Sequence, residues 1–225
     1  MKKKILSVIA LCLALAVVFP FAAFASEPLT ESEPAAAESF DSIPDDMIVA
    51  KLYICTQQVG FGHSWIYIEN LCGSALPVGA YTLQPDAGVS MGIFGVSRAD
   101  GAGLYYNIEA YCANKWGLKN QAWLGTEITK EQLVSVSTKI ANWNHWDLFF
   151  NCSYFAADIW NTVSGKKIVP LVFPAFEKWQ ILSKGGNKDI KMKEVTSEEC
   201  FKQKGNGANA SLKQVSEKSF SSKLL

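Results

Sequence analysis

The side chains best suited to nucleophilic chemistry in this chain are one thiol, Cys152, and two histidines, His63 and His145. Cys152 sits in Asn151-Cys152-Ser153, just ahead of Phe155, Ala156, Ile159 and Trp160, which recur at helical spacing. That places the thiol at a helix start, where free N–H groups and the positive end of the helix dipole lower a thiol pKa. Asn151 or Ser153 is the candidate cap. A buried structural cysteine, or half of a disulfide, is the competing reading of the same residue. For a base, His63 follows Gly60-Phe61-Gly62, whose glycines let another backbone or a substrate approach closely. His145 lies in Asn144-His145-Trp146-Asp147, between two helices, and reads as a satisfied loop histidine. The group that orients the base is open among Glu109, Asn107 and Gln84, with Glu109 taken as the candidate and a solvated strand carboxylate as its alternative.

Positioning these residues falls to short runs rich in Val, Ile, Tyr and Trp, broken by Gly and Pro. Strands are predicted near 48–56, 63–69, 78–83, 89–94 and 104–111. In the second, alternation puts His63, Trp65, Tyr67 and Glu69 on one face and Ser64, Ile66 and Ile68 on the other. In the last, Tyr105, Asn107, Glu109 and Tyr111 share a face. Thr129 followed by Gln132 predicts a capping box opening a helix that runs to about Trp143, with Thr126 as the rival cap. A second helix opens at Asn151-Cys152-Ser153 and stops at Gly165. Strands first and helices second indicate an α+β domain.

The order of the chemistry adds a resemblance. Gly60-Phe61-Gly62-His63-Ser64-Trp65-Ile66-Tyr67-Ile68-Glu69-Asn70, with Asn151-Cys152-Ser153-Tyr154-Phe155-Ala156 downstream, resembles the circularly permuted branch of the NlpC-type papain-like superfamily, which includes relatives of lecithin:retinol acyltransferase. In that branch the His strand precedes the Cys helix. The resemblance spans roughly residues 48–165. It implies a papain-like antiparallel sheet packed against the helix that carries the cysteine, with Cys152 as nucleophile and His63 as general base. The reaction implied is attack on an amide or ester carbonyl through an acyl-enzyme, without a cofactor. The backbone N–H of Cys152 is a candidate oxyanion donor.

The 225 residues are 49% hydrophobic and 19% charged, with 21 basic and 21 acidic residues, enough for one sizeable core and without the positive field of a nucleic-acid binder. Lys2, Lys3 and Lys4, the apolar run from Ile5, and Ala23-Phe24-Ala25 read as a bacterial-type secretory signal peptide over residues 1–25. The product is expected to be secreted or cell-surface associated, with no stable membrane anchor after cleavage. Residues 26–46 hold seven acids and no base, and read as an acidic disordered linker. The domain proper is expected over 47–177, followed at 178–225 by a basic, polar extension that either stays solvated or packs over the site as a lid. Five cysteines remain after the leader, so up to two disulfides are allowed among Cys55, Cys72, Cys112, Cys152 and Cys200. None of these cysteines has the C-x-x-C spacing of a metal site.

Three functions follow. The first is a secreted cysteine hydrolase cleaving an amide bond, with cell-wall peptides as the substrate that the export signal and the resemblance suggest. The second is acyl transfer or lipid ester hydrolysis on the same fold, favoured by a long apolar groove. The third is a non-catalytic extracellular binding module in which Cys152 is disulfide-bonded.

Overall fold

Alternating apolar and polar residues from Ile48 onward pair into hairpins, and the computed structural model describes them over residues 39–95, 98–149, 151–216 and 218. In chain order the elements are β1 (Ile48–Gln57), β2 (His63–Asn70), β3 (Leu76–Val78), β4 (Tyr81–Leu83), β5 (Gly88–Phe94), β6 (Gly103–Tyr106), α1 (Ile108–Trp116), β7 (Gln121–Thr129), α2 (Lys130–Asn142), α3 (Cys152–Val163), α4 (Pro174–Ser183), β8 (Phe201–Lys204) and β9 (Ser211–Gln214). Seven strands form one antiparallel sheet in the order β7-β1-β2-β5-β6-β8-β9, and β3 and β4 form a separate hairpin. The architecture is therefore α+β. Among the described residues no helix is long and apolar enough to cross a membrane. The expected signal peptide lies outside the described residues.

Both faces of the sheet are covered. Leu52, Ile54, Ile66, Ile68, Val89 and Met91 meet Leu133, Val136 and Ile140 of α2 and Phe155, Ile159 and Trp160 of α3. On the opposite face Tyr53, Cys55, Trp65 and Tyr67 are closed over by Ala110 of α1 and by Ile190, Met192 and Val195. Seven of the eight residues of β2 are consequently buried, and the histidine face is an interior one. The helix starts follow the expected chemistry. Thr129 Oγ1 accepts from Gln132 N at 3.3 Å while Gln132 Oε1 accepts from Thr129 N at 3.0 Å, closing the capping box of α2. Asn151 Oδ1 accepts from Ser153 N at 3.0 Å and Tyr154 N at 3.3 Å, capping α3.

Several boundaries differ from the sequence reading. The strand expected over 104–111 ends at Tyr106, because Asn107 turns into the left-handed region with φ 67° and starts α1. Its amide holds that corner: Oδ1 accepts from Ser90 N at 3.2 Å and Nδ2 donates to Glu199 O at 2.9 Å. The strand expected over 78–83 is the β3–β4 hairpin, turned at Gly79, where a Cβ would fall 2.4 Å from the Tyr106 hydroxyl and 2.6 Å from Ile140. β7 lies outside the strands predicted from the sequence. It pairs along β1, with Gly125 lying against the ring of Tyr53.

The end of the acidic linker is not free. Ile43 is buried, and Lys130 Nζ collects Ile43 O at 2.6 Å, Asp41 O at 3.2 Å and Asp45 Oδ1 at 3.2 Å. The 177/178 boundary cuts through α4, and two short segments of the expected polar extension join the sheet: β8 pairs with β6 at Tyr105↔Lys202 and Tyr106↔Phe201, and β9 pairs with β8. Buried Gln203 explains how so polar a strand docks. Its Oε1 accepts from the Tyr106 hydroxyl at 2.8 Å and its Nε2 donates to Ala141 O and Trp143 O.

Asn107→Ala removes both side-chain bonds and the residue type that tolerates a positive φ. It is expected to lower unfolding free energy by about 2–4 kcal/mol in a denaturant titration.

Candidate active site

His63 opens β2 after a loop that reverses at Gly60 (φ 59°) and Gly62 (φ 82°). Gly62 is needed on two counts, since a Cβ there would also lie 2.9 Å from Pro174 Cβ and 3.0 Å from Gln57 O. The imidazole is 5% exposed and lies between aromatic rings, stacked on Phe94 at 4.4 Å and on Trp65 at 5.9 Å between centroids. Cys152 is the first residue of α3 and is half-buried as a residue.

Glu109 lies in the first turn of α1, fully buried, and its Oε1 is 2.9 Å from His63 Nε2. Its second oxygen accepts from Ser90 Oγ at 2.8 Å, and that hydroxyl in turn accepts from Ala110 N at 3.1 Å. The contact passes over Gly92: a Cβ there would sit 2.0 Å from Glu109 Oε1 and 2.7 Å from His63 Nε2. Only a residue without a side chain leaves room for the pair. With Nε2 engaged by the carboxylate, Nδ1 is the nitrogen that remains for the sulfur.

The electrostatics draw the thiol and imidazole toward an ion pair. Burial alone would push the His63 imidazole down, but its interactions with Cys152 and then Glu109 outweigh this, and it is pushed up to about 9. For Cys152, burial pushes the thiol up, and the hydrogen bond and charge of His63, helped by the N–H groups of Ser64 and Ser153, bring it net below an ordinary thiol. The other buried cysteines go the opposite way: burial drives Cys112 up to about 12 and raises Cys55 and Cys200. All five described cysteines are free thiols.

The structure thus gathers Cys152, His63 and Glu109, with Glu109 supplied by a helix start rather than by a strand face. Asn107 builds the corner that carries Glu109 and bonds to Ser90 instead of to the histidine. Gln84 is exposed in the turn before β5. His145 is exposed, with Nε2 2.9 Å from Asp147 Oδ2. Among the described residues no group of His, Cys, Asp and Glu is arranged to hold a metal ion.

Three features escaped the sequence reading. The first is Ser90 with Gly92, an ordinary strand pair until α1 is laid across it. The second is a buried hydroxyl chain, in which Ser64 Oγ donates to Thr56 Oγ1 at 3.1 Å and lies 3.4 Å from Ser153 Oγ, linking β1 and β2 to the start of α3. The third is Glu177, 1% exposed on the inner face of α4. The Ser64 and Ser153 hydroxyls lie beside its carboxyl, but neither oxygen reaches hydrogen-bond geometry. Burial pushes this carboxyl well above the usual carboxylate range, and the charge of Cys152 adds to the effect against Ser64, Ser153 and His63. Nothing in its local sequence distinguishes it, because the apolar neighbours Phe176 and Trp179 face outward where periodicity would put them inside.

A cavity of about 270 Å³ opens between the end of β1 and the C-terminal end of α1, lined by Gln57, Val59, Cys112, Trp116, Leu118 and Lys119. Gln57 is the cross-strand partner of His63, so this space adjoins the strand that carries the imidazole. Comparison with protein-family models, curated proteins and solved structures finds no match.

Two outcomes are expected. Alkylation of Cys152 by iodoacetamide should already be fast below pH ~7, whereas an unperturbed thiol of pKa ~8.5 reacts fast only above that range. Loss of His63 in His63→Ala should restore the ordinary profile. Glu177 in the folded state keeps a proton that the unfolded chain releases above the ordinary carboxyl pKa. Its contribution is therefore intact at low pH and falls by up to about 1.4 kcal/mol per pH unit as pH rises toward the folded value. Glu177→Gln should be the more stable protein at neutral pH, by a margin that grows with pH in thermal melts.

Proposed function

We propose that this chain is an exported cysteine hydrolase of the permuted NlpC-type papain-like kind, cleaving an amide bond for which cell-wall peptides are the leading substrate. The observation that carries the reading is the order Cys152, His63, Glu109, with one imidazole between a lowered thiol and a buried carboxylate. Structural ion pairs also perturb pKa values, but they do not ordinarily lower a thiol at a helix start.

On this reading the Cys152 thiolate attacks the carbonyl carbon, and the C=O π pair moves to oxygen. The Cys152 N–H, at the first position of α3 and without an intrahelical partner, is the candidate donor to that oxyanion. The His63 imidazolium gives its proton to the leaving nitrogen as the C–N bond breaks, leaving a thioester and a free amine. His63, now neutral, takes a proton from water while the hydroxide oxygen bonds to the acyl carbon. Collapse of that intermediate expels the thiolate and restores the ion pair. Glu109 fixes the ring and balances the imidazolium charge in each half-reaction.

Ester hydrolysis or acyl transfer is a second reading, favoured by the exposed apolar pair Leu148 and Phe149 just before Asn151. Thiol mapping separates both from the binding-module reading, in which Cys152 is disulfide-bonded. Peptidoglycan fragments and acyl esters assayed side by side separate the two substrates. Cys152→Ser should abolish turnover, His63→Ala should cost ~10²–10⁴-fold, and His145→Ala should leave the rate near wild type. Comparable losses for His145→Ala and His63→Ala would sink the assignment of the base.

A further inference from the structure

Large apolar side chains are normally scattered over a protein surface, and contiguous patches mark a partner. Here they converge from three segments. Phe61, 95% exposed, and Val59 project from the β1–β2 loop. Leu148 and Phe149 precede α3, while Leu171, Phe173, Phe176 and Trp179 run up to and along the outer face of α4, with Trp179 70% exposed. The structure ties these segments together through the residues that immediately precede His63 and Cys152. Gly62 packs against Pro174 at the start of α4, and Asn151 Nδ2 donates to both Leu148 O at 3.3 Å and Val172 O at 2.8 Å. Phe173 and Phe176 are in ring contact at 6.4 Å.

Charge narrows the partner. From residue 159 to residue 188 the chain carries Lys166, Lys167, Lys178, Lys184 and Lys188, and its single acid, Glu177, is buried. Lys166 Nζ donates to Lys184 O across the end of α4, and Lys178 lies within reach of the charge of Lys188, so the lysines gather in pairs around this helix. Two copies of this chain meeting through α4 would bring these lysines together, which like-charge repulsion opposes. A segment that carries both exposed aromatic residues and lysines suits a bilayer with anionic headgroups, where aromatic side chains enter the interface and Lys contacts phosphate.

We propose that the face formed by Phe61, Phe149, Phe173, Phe176 and Trp179, with the lysines flanking α4, docks this protein peripherally on an anionic lipid surface. The docking brings the starts of α3 and β2, which carry Cys152 and His63, toward the headgroup layer, and it stands independently of which bond the site cleaves.

The test is co-sedimentation of the chain from Ser26 onward with vesicles containing phosphatidylglycerol, against vesicles of phosphatidylcholine alone, with sedimentation equilibrium run in parallel. Binding to the anionic vesicles that weakens in high salt is expected. Phe176→Ser/Trp179→Ser, and separately Phe61→Ser, should each cut the bound fraction, the double variant by ~10-fold or more. Their Cys152 alkylation rates should match wild type, which reports an intact fold. Equal partition into both vesicle types, no partition at all, or full binding by the double variant would overturn the proposal. So would a self-associating wild type whose assembly, rather than vesicle binding, is abolished by the double variant.

Discussion

A buried imidazolium has to be balanced where it stands, and much of the molecule around His63 follows from that requirement. Water cannot screen a ring stacked between Trp65 and Phe94, so the charge is compensated by a sulfur on one side and a carboxylate on the other. The carboxylate has its own needs. Glu109 is fully buried, takes a hydroxyl from Ser90, sits at the positive end of α1 and feels the charge of buried Arg98, whose guanidinium stands 3.7 Å over the Phe94 ring. Even the bare strand at Gly92 belongs to the same arrangement, since it is the floor over which acid and base meet.

What a reader of the sequence can recover is set by the range of the interactions involved. The caps of α2 and α3 are local, contained within a few residues of Thr129 and Asn151, and both appear where their residue types put them. The paired strands β1, β2 and β5 are likewise legible from alternation. Glu109 could be nominated but not placed: alternation drew a strand through Asn107, whose positive φ is imposed by bonds to Ser90 and to Glu199, 92 residues away. Glu177 and the outward aromatic residues of α4 defeat periodicity outright, because the buried and exposed residue types are exchanged there. β8 was illegible for a related reason, its docking depending on the amide of Gln203 rather than on apolar residues.

The site accordingly holds two acids with opposite duties. Glu109 is matched to a cation and a hydroxyl, so its charge is supported. Glu177 lies behind the thiol with no hydrogen-bond partner of good geometry, so its charge would be opposed by the neighbouring sulfur. Holding a carboxyl matched to hydrogen-bond partners and one left without them within a few side chains of each other is a property of packing.

The corner that carries Glu109 is locked from far downstream. Asn107 bonds to Glu199, and Tyr106 bonds to Gln203. As a nascent chain emerges, the strand bearing His63 and the helix bearing Cys152 are both complete before the residues that secure the corner of Glu109 exist. Placing Glu109 against His63 therefore waits on a contact of high sequence separation, the kind that forms slowly. A partly synthesised or C-terminally clipped chain carries all three side chains but lacks the bonds that hold Glu109 in line with the other two.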